Sequence, residues 1–334
     1  MTTHGAPVPD ASYVTPGHHD GGPRRDTLAR RLLVYQSIRF PLAAYSVLVV
    51  ALVAASATYS RALRGLTGTV TLPLLFTGSV TTLVFFFMLR VLDEHKDREV
   101  DARYRPELPV PSGLIRLSEL RWVGGFVTGS ALLLNGWIAP RLLLAFALVA
   151  LWAALMTGEF FVPRWLRAHP TAYLLSHMAI MPAIDVYTTG LDWLAAGVAP
   201  PAKLLPFLAV TFLNGILIEI GRKLRATDGE RAGVDTYTKA WGLRLAPVVW
   251  LAALAGATVC ALVAASFTHV LASTAAILIP LAIVASVPCV GFLRAPTSAA
   301  AARTERASQL WPLVTYLVLG AAPSVQRTLQ HALA

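Results

Sequence analysis

Charge is what this sequence has least of. Only 14% of its 334 residues are Asp, Glu, Lys or Arg, against 56% hydrophobic, where about a quarter charged is usual for a soluble domain. A chain so poor in charge cannot cover a water-facing surface, which excludes an ordinary soluble enzyme. Cysteine is scarcer still: Cys260 and Cys289 are the only two, both within apolar runs and with no CxxC pairing. That excludes a disulfide scaffold or a thiolate metal centre and leaves two inert buried thiols. No long soluble stretch remains between the apolar runs, so one integral membrane domain with a short tail is expected.

What is abundant is apolar sequence in runs long enough to cross a bilayer. Nine spans are expected: about Phe40 to Ala57, Val70 to Leu92, Trp122 to Ile138, Leu142 to Val162, Thr171 to Thr189, Leu204 to Ile220, Ala246 to Phe267, Val270 to Leu293 and Leu310 to Val325. The expected fold class is an all-α multi-pass membrane protein, a nine-helix bundle over residues 31–330 behind a tail of residues 1–30. The tail, Met1 to about Leu28, is rich in Gly, Pro, His and Thr and is expected to be disordered. It lacks the apolar core of a cleavable signal peptide, and its His18 and His19 read as incidental.

The net charge of +10 raises the question of nucleic acid, and the distribution answers it. With a cytoplasmic N-terminus, the cytoplasmic side receives five basic residues in the tail and seven between Arg90 and Arg121. It also receives two after span four, six between Arg222 and Arg244, and three after span eight. That makes 23 of the 28, leaving five on the other side. This is the positive-inside pattern, and it gives the basic residues a role in topology and anion binding; nucleic acid is not an expected partner.

The stretch with the most chemistry is RVLDEHKDREVDARYRPELPVPSG, Arg90 to Gly113. On a helix, Asp93, Asp97 and Asp101 drift by about 40° per step and rise about 6 Å, so they share one face at the mouth of an apolar segment. Carboxylates that close repel one another unless a cation is present, and Mg²⁺ with a phosphate ligand takes hard oxygen donors of this kind. The same pattern suits a solvated helix end, because Lys96, Arg98 and Arg103 interleave and can form surface pairs. Pro106, Pro109 and Pro111 then force a tight extended return, in which Arg103 and Arg105 are either diphosphate ligands or cytoplasmic anchors.

A second polar island, Asn214 to Gly242, follows span six. Glu219 and Lys223 are four apart and Asp228 lies five further on. Arg222, Lys223 and Arg225 are candidates for holding phosphate oxygens, with Tyr237 and Lys239 in a glycine-punctuated loop behind them. Both islands fall on one side of the membrane and can form the mouth and lid of a cavity. Ionisable groups within spans are expensive and usually face a cavity or a partner. Glu159 is expected inside span four near its cytoplasmic end, as an outer metal ligand or the partner of a loop arginine. His177, two turns inside span five, reads as an interhelical hydrogen bond or a catalytic group, and Asp185 as interfacial. The aromatics Phe85, Phe86, Phe87, Trp152, Phe160, Phe161 and Tyr173 either line a cavity or face lipid.

The first island resembles the UbiA superfamily of intramembrane prenyltransferases, which carries an NDxxDxxxD motif followed by a proline-rich segment ending in PSG. Asp93 takes the Asn position, Asp97 and Asp101 the later Asp positions, and Pro109 to Gly113 match the ending. The segments EFFVPRWLRAHP, Glu159 to Pro170, and GVDTYTKAWG, Gly233 to Gly242, are also similar to bacterial members. The resemblance covers about residues 35 to 325.

It implies Mg²⁺-assisted ionisation of an isoprenyl diphosphate, with Asp93, Asp97, Asp101, Glu219 and Asp228 as metal ligands. Lys96, Arg103, Arg105, Arg222, Lys223, Arg225, Tyr237 and Lys239 would lie on the diphosphate. The prenyl group then passes to a lipophilic acceptor, or is cyclised within its own chain as in terpene cyclases of the same superfamily. Lys223 departs from the pattern, since it stands where a second aspartate is usual and a protonated lysine cannot bind Mg²⁺. A transporter is the reading from another class. It requires charge along a path across the membrane, whereas both islands sit on one side.

Overall fold

The structure, a computed structural model, describes residues 26–231 and 233–333. The expected tail, with His18 and His19, lies almost wholly outside them. Thirteen α-helices run through the described residues, which contain no strand. The first four are α1 (Leu28–Arg39), α2 (Leu42–Leu63), α3 (Leu72–Lys96) and α4 (Arg98–Tyr104). Next come α5 (Leu117–Ile138), α6 (Leu142–Thr157), α7 (Pro163–Ala168), α8 (Pro170–Met178) and α9 (Ile180–Trp193). The last are α10 (Leu205–Arg222), α11 (Tyr237–Phe267), α12 (Leu271–Arg294) and α13 (Ser298–Leu333).

Among the described residues five helices, α2, α3, α10, α11 and α12, are by length and composition sufficient to cross a membrane. The shorter α6 is equally apolar. Each of the nine expected spans coincides with a helix or a pair of helices. The differences are at breaks. Span five is two helices parted at Ala179. Span four stops at Thr157, so Glu159 sits in a turn beyond the helix rather than within it. The helix of span seven starts early, at Tyr237, and bends at Gly242, whose φ of 88° only glycine adopts easily. Its first residues therefore belong to the polar island and the rest to the bundle.

Two apolar cores hold the helices together. One, built on α10 to α13 with α2, encloses Trp250, Trp311, Tyr59 and Phe207. The other, built on α2, α3, α5, α6 and α9, encloses Phe85, Phe146, Ile184 and Tyr187. Small residues allow close approach, as in other bilayer helices: a Cβ on Gly320 would stand 2.5 Å from the Cα of Ala55. On the outside of α5, Trp122, Phe126, Leu133 and Trp137 are each more than three-quarters exposed. Their spacing of 4, 7 and 4 makes one apolar stripe that suits acyl chains and not water.

Asp185 is not interfacial. It is fully buried in α9 and accepts hydrogen bonds from Ser56 of α2 at 2.7 Å, Thr188 at 2.8 Å and Thr211 of α10 at 2.7 Å. The helix runs on to Trp193, past the expected end of the span, and nearly every residue from Ala183 to Asp192 is buried. Three hydroxyl donors satisfy the carboxyl group and tie three helices at one point.

Candidate active site

One end of the bundle gathers the last turn of α3, α4, the turn after α6, the start of α8, the end of α10 and the start of α11. The expected single carboxylate face does not form, because the helix breaks at Asp97, which ends α3 and starts α4. Asp93 stays about half exposed and pairs with Arg90 at 3.1 Å. Asp97 caps the break, and its carboxyl lies above the usual carboxylate range. Packing around it disfavours the charge first, and the nearby Asp93 and Asp101 add to this against the opposing pull of Lys96 and Lys223. Asp101 is buried between Arg39 at 3.7 Å and Arg105 at 3.4 Å, so Arg105 serves that carboxylate. Arg103 lies over the ring of Tyr104 at 5.5 Å.

The second island meets the first at this mouth. Glu219 is buried and holds Arg222 at 2.5 Å and Lys223 at 2.9 Å. Lys223 stands 5.7 Å above the ring of the buried Tyr237, while the charge of Asp93 reaches Arg222. The carboxylates of the first island thus face the cations of the second. Three of the expected ligands have partners within the chain. Arg225 pairs with Glu305 at 3.5 Å, Asp228 accepts from Ser298 at 3.0 Å, and Lys239 donates to the carbonyls of Arg231 and Val234 at 3.3 Å. These contacts brace the outer side of the loop and leave Glu219 and Asp228 on separate partners.

Lys96 occupies the third side. It donates to Glu159 at 2.9 Å and to the hydroxyl of Tyr173 at 3.0 Å. The partner of Glu159 is therefore this lysine and no arginine. The turn carrying Glu159 is unusual: Glu159, Phe160 and Phe161 have φ of 46°, 51° and 61°, three successive side-chain-bearing residues in the left-handed region. It turns Phe160 back onto Trp152 and His177 at ring separations of 5.5 and 6.0 Å.

Sequence reasoning passed over Arg39 and Glu94. Glu94 is buried, with Arg39 at 2.6 Å and the Tyr35 hydroxyl donating at 3.4 Å. One step along a helix turns a side chain by about 100°, so an outward Asp93 puts Glu94 inward; that was the available signal. Through Arg39, which also reaches Asp101, α1 is fixed to the aspartate-rich segment.

Among the described residues no three His, Cys, Asp or Glu side chains converge as a ready metal cage. Mg²⁺ seldom uses one, taking one or two carboxylates together with phosphate oxygens and water. Asp93 and Asp97, adjacent and open to solvent at the mouth, suit that mode. Asp101, held by two arginines, is placed to fix the segment.

No family model matches the chain, and no curated protein sequence matches it. Among solved structures it is similar to one described under "biosynthesis of Digeranylgeranylglyceryl phosphate synthase in membranes". The TM-score is 0.54 at 14% identity, over 88% of this chain and 99% of that one. At that identity the likeness is one of fold. Together with the five apolar helices it makes this a membrane protein. The chain shares its fold with that membrane synthase, in keeping with the fold that the resemblance of the aspartate-rich stretch and its proline-rich return implied.

Proposed function

We propose that this chain is an intramembrane enzyme that ionises an isoprenyl diphosphate, releases pyrophosphate and transfers the prenyl group to a lipophilic acceptor. In this reading it is a nine-helix bundle with a cytoplasmic N-terminus, multi-pass in the cell membrane, and the mouth with both polar islands opens to the cytoplasm. The observation that supports it most is the meeting of Asp93 and Asp97 with Arg222 and Lys223 at one end of an apolar bundle. The facing of carboxylates and cations at one end suits a site that takes a polar head and a long apolar tail.

Asp93 and Asp97 would hold Mg²⁺, which when bound supplies positive charge to the leaving oxygens. Arg222 and Lys223, fixed on Glu219, cap the departing diphosphate as preorganised cations. The buried ring of Tyr237 lies beneath Lys223. The bundle excludes water from the cation that remains, which suppresses its hydrolysis. Terpene cyclisation after the same ionisation is the second reading. Lys223 favours it, because the second island lacks the acid that ordinary acceptor-dependent members of the superfamily carry.

Purified protein in micelles, given geranylgeranyl or farnesyl diphosphate and Mg²⁺ without acceptor, separates the readings. A cyclic hydrocarbon or alcohol as main product establishes the cyclase. Substrate that stays intact until an acceptor is added establishes the transferase. Asp97→Asn is expected to abolish pyrophosphate release, and retained release would remove Asp97 from the site.

A further inference from the structure

We propose that His177 is the proton acceptor of this site, receiving on Nε2 the proton set free when the prenyl cation is captured. The inference rests on the ionisation reading above and adds a catalytic residue to it.

Nδ1 of His177 lies 3.0 Å from the backbone carbonyl of Tyr173, one turn back. A carbonyl can only accept, so the ring proton sits on Nδ1, and in the neutral imidazole Nε2 carries the free lone pair. His177 is more than nine-tenths buried, and its Nε2 has no protein partner. Buried nitrogen with no donor is rare in folded proteins and calls for a reason.

The surroundings supply one. The ring is stacked on Tyr173 at 3.8 Å and 16°, and Phe160 meets it edge-on at 6.0 Å. Trp152 stands against Phe160 and donates to the carbonyl of Ser176 at 3.0 Å. The ring thus sits among aromatic side chains, and aromatic faces tolerate a neighbouring cation. The charged groups facing the ring are Lys96 from α3, Glu159 from the left-handed turn and Glu219 from α10. The second carboxylate oxygen of Glu159 is itself buried without a partner; the charges of Glu159 and Glu219 favour the imidazolium that proton capture creates, while burial and Lys96 oppose it, so the proton is held only briefly. Lys96 bonds both Glu159 and Tyr173 and follows directly on His95, one residue before Asp97, which sets the ring beside the diphosphate mouth.

The bonds balance as follows. The C1–O bond of the prenyl diphosphate breaks and its electron pair leaves with pyrophosphate. In transfer, a lone pair of the acceptor forms the new bond to C1, the acceptor's own bond to hydrogen breaks, and the proton goes to Nε2. In cyclisation, a C–H bond beside the cation breaks, its pair becomes a C=C bond, and the proton goes to the same nitrogen. The substrate class is the same in both: a prenyl cation whose capture releases one proton in a dry site.

The test uses the full chain in micelles with geranylgeranyl diphosphate and Mg²⁺, alone and with 4-octylphenol as a lipophilic acceptor. Pyrophosphate and organic products are measured for the wild type, His177→Phe, which keeps the stack, and His177→Gln, which keeps polarity. In whichever arm the wild type turns over, both variants are expected to continue releasing pyrophosphate within about threefold. Their proton-loss or prenylated product should fall about 100-fold, as for loss of a general base, with the prenyl alcohol rising in its place. An unchanged ratio of product to pyrophosphate in both variants overturns the assignment, and so does loss of pyrophosphate release in both. A wild type that releases no pyrophosphate in either arm overturns the ionisation reading instead.

Discussion

Replacing Arg39 by methionine is expected to destabilise the protein by about 3–5 kcal/mol, the usual cost of stranding a buried charge. The side chain of Glu94 is 1% exposed and that of Arg39 12%. Without the guanidinium, Glu94 keeps only the Tyr35 hydroxyl at 3.4 Å, and Asp101 keeps only Arg105 at 3.4 Å. Replacing Glu94 alone by methionine strands the arginine in turn, at a smaller cost because it can lean toward Asp101. The double replacement removes both charges and fills the space with apolar groups, and such exchanges are often near neutral. The two single losses should therefore fail to add, with a coupling of about 2–3 kcal/mol between residues in direct contact. Unfolding of the four proteins in mixed micelles, followed by circular dichroism, measures the cycle. An Arg39→Met loss below about 1 kcal/mol, or strict additivity, would show that the pair does not hold α1 to the aspartate-rich segment.

Three further outcomes follow from local geometry. Glu119 is held near a pKa of about 2, first by the Arg31 guanidinium and then by the backbone N–H of Arg116. An acid lowered in this way contributes its stability above its ordinary pKa of 4.5 and loses it as the pH falls toward 2. Hydrogen exchange in α1 should therefore accelerate across that window in the wild type and show no such step in Glu119→Gln. Gly320→Ala puts a methyl group against the backbone of Ala55 and is expected to cost about 1–3 kcal/mol by overpacking; an unshifted unfolding midpoint would contradict that contact. Asn135 donates to Thr81 at 2.8 Å and accepts from Tyr187 at 2.8 Å. Asn135→Leu removes a hydrogen-bond partner from both buried hydroxyls, which keep only each other, a loss of about 1–3 kcal/mol, while adding Tyr187→Phe should recover part of it.

The apolar helices were legible because each apolar run is a local property, bounded by charged segments. The two islands were legible for the same reason. Their wiring was not, since it depends on which helices lie side by side. Asp101 looks like a site residue in any linear reading, yet beside its i,i+4 partner Arg105 it reaches Arg39 of a helix some 60 positions earlier. Arg225, Asp228 and Lys239 share the composition of a phosphate loop and are taken up by Glu305, Ser298 and backbone carbonyls.

By itself, the sequence determined a helical membrane protein with its polar chemistry concentrated in two segments, because hydropathy, charge and proline act over a few residues. Only the tertiary structure decided that the helix breaks at Asp97, that Lys223 is pinned by Glu219, and that Asp185 is an interior tie. It also decided that the Nε2 of His177 is left without a partner on a ring set among aromatic side chains. The last two depend on the packing of helices distant in sequence, where a neighbour's donor or charge determines what each side chain is free to do; the first two depend on backbone and rotamer choices that composition leaves open.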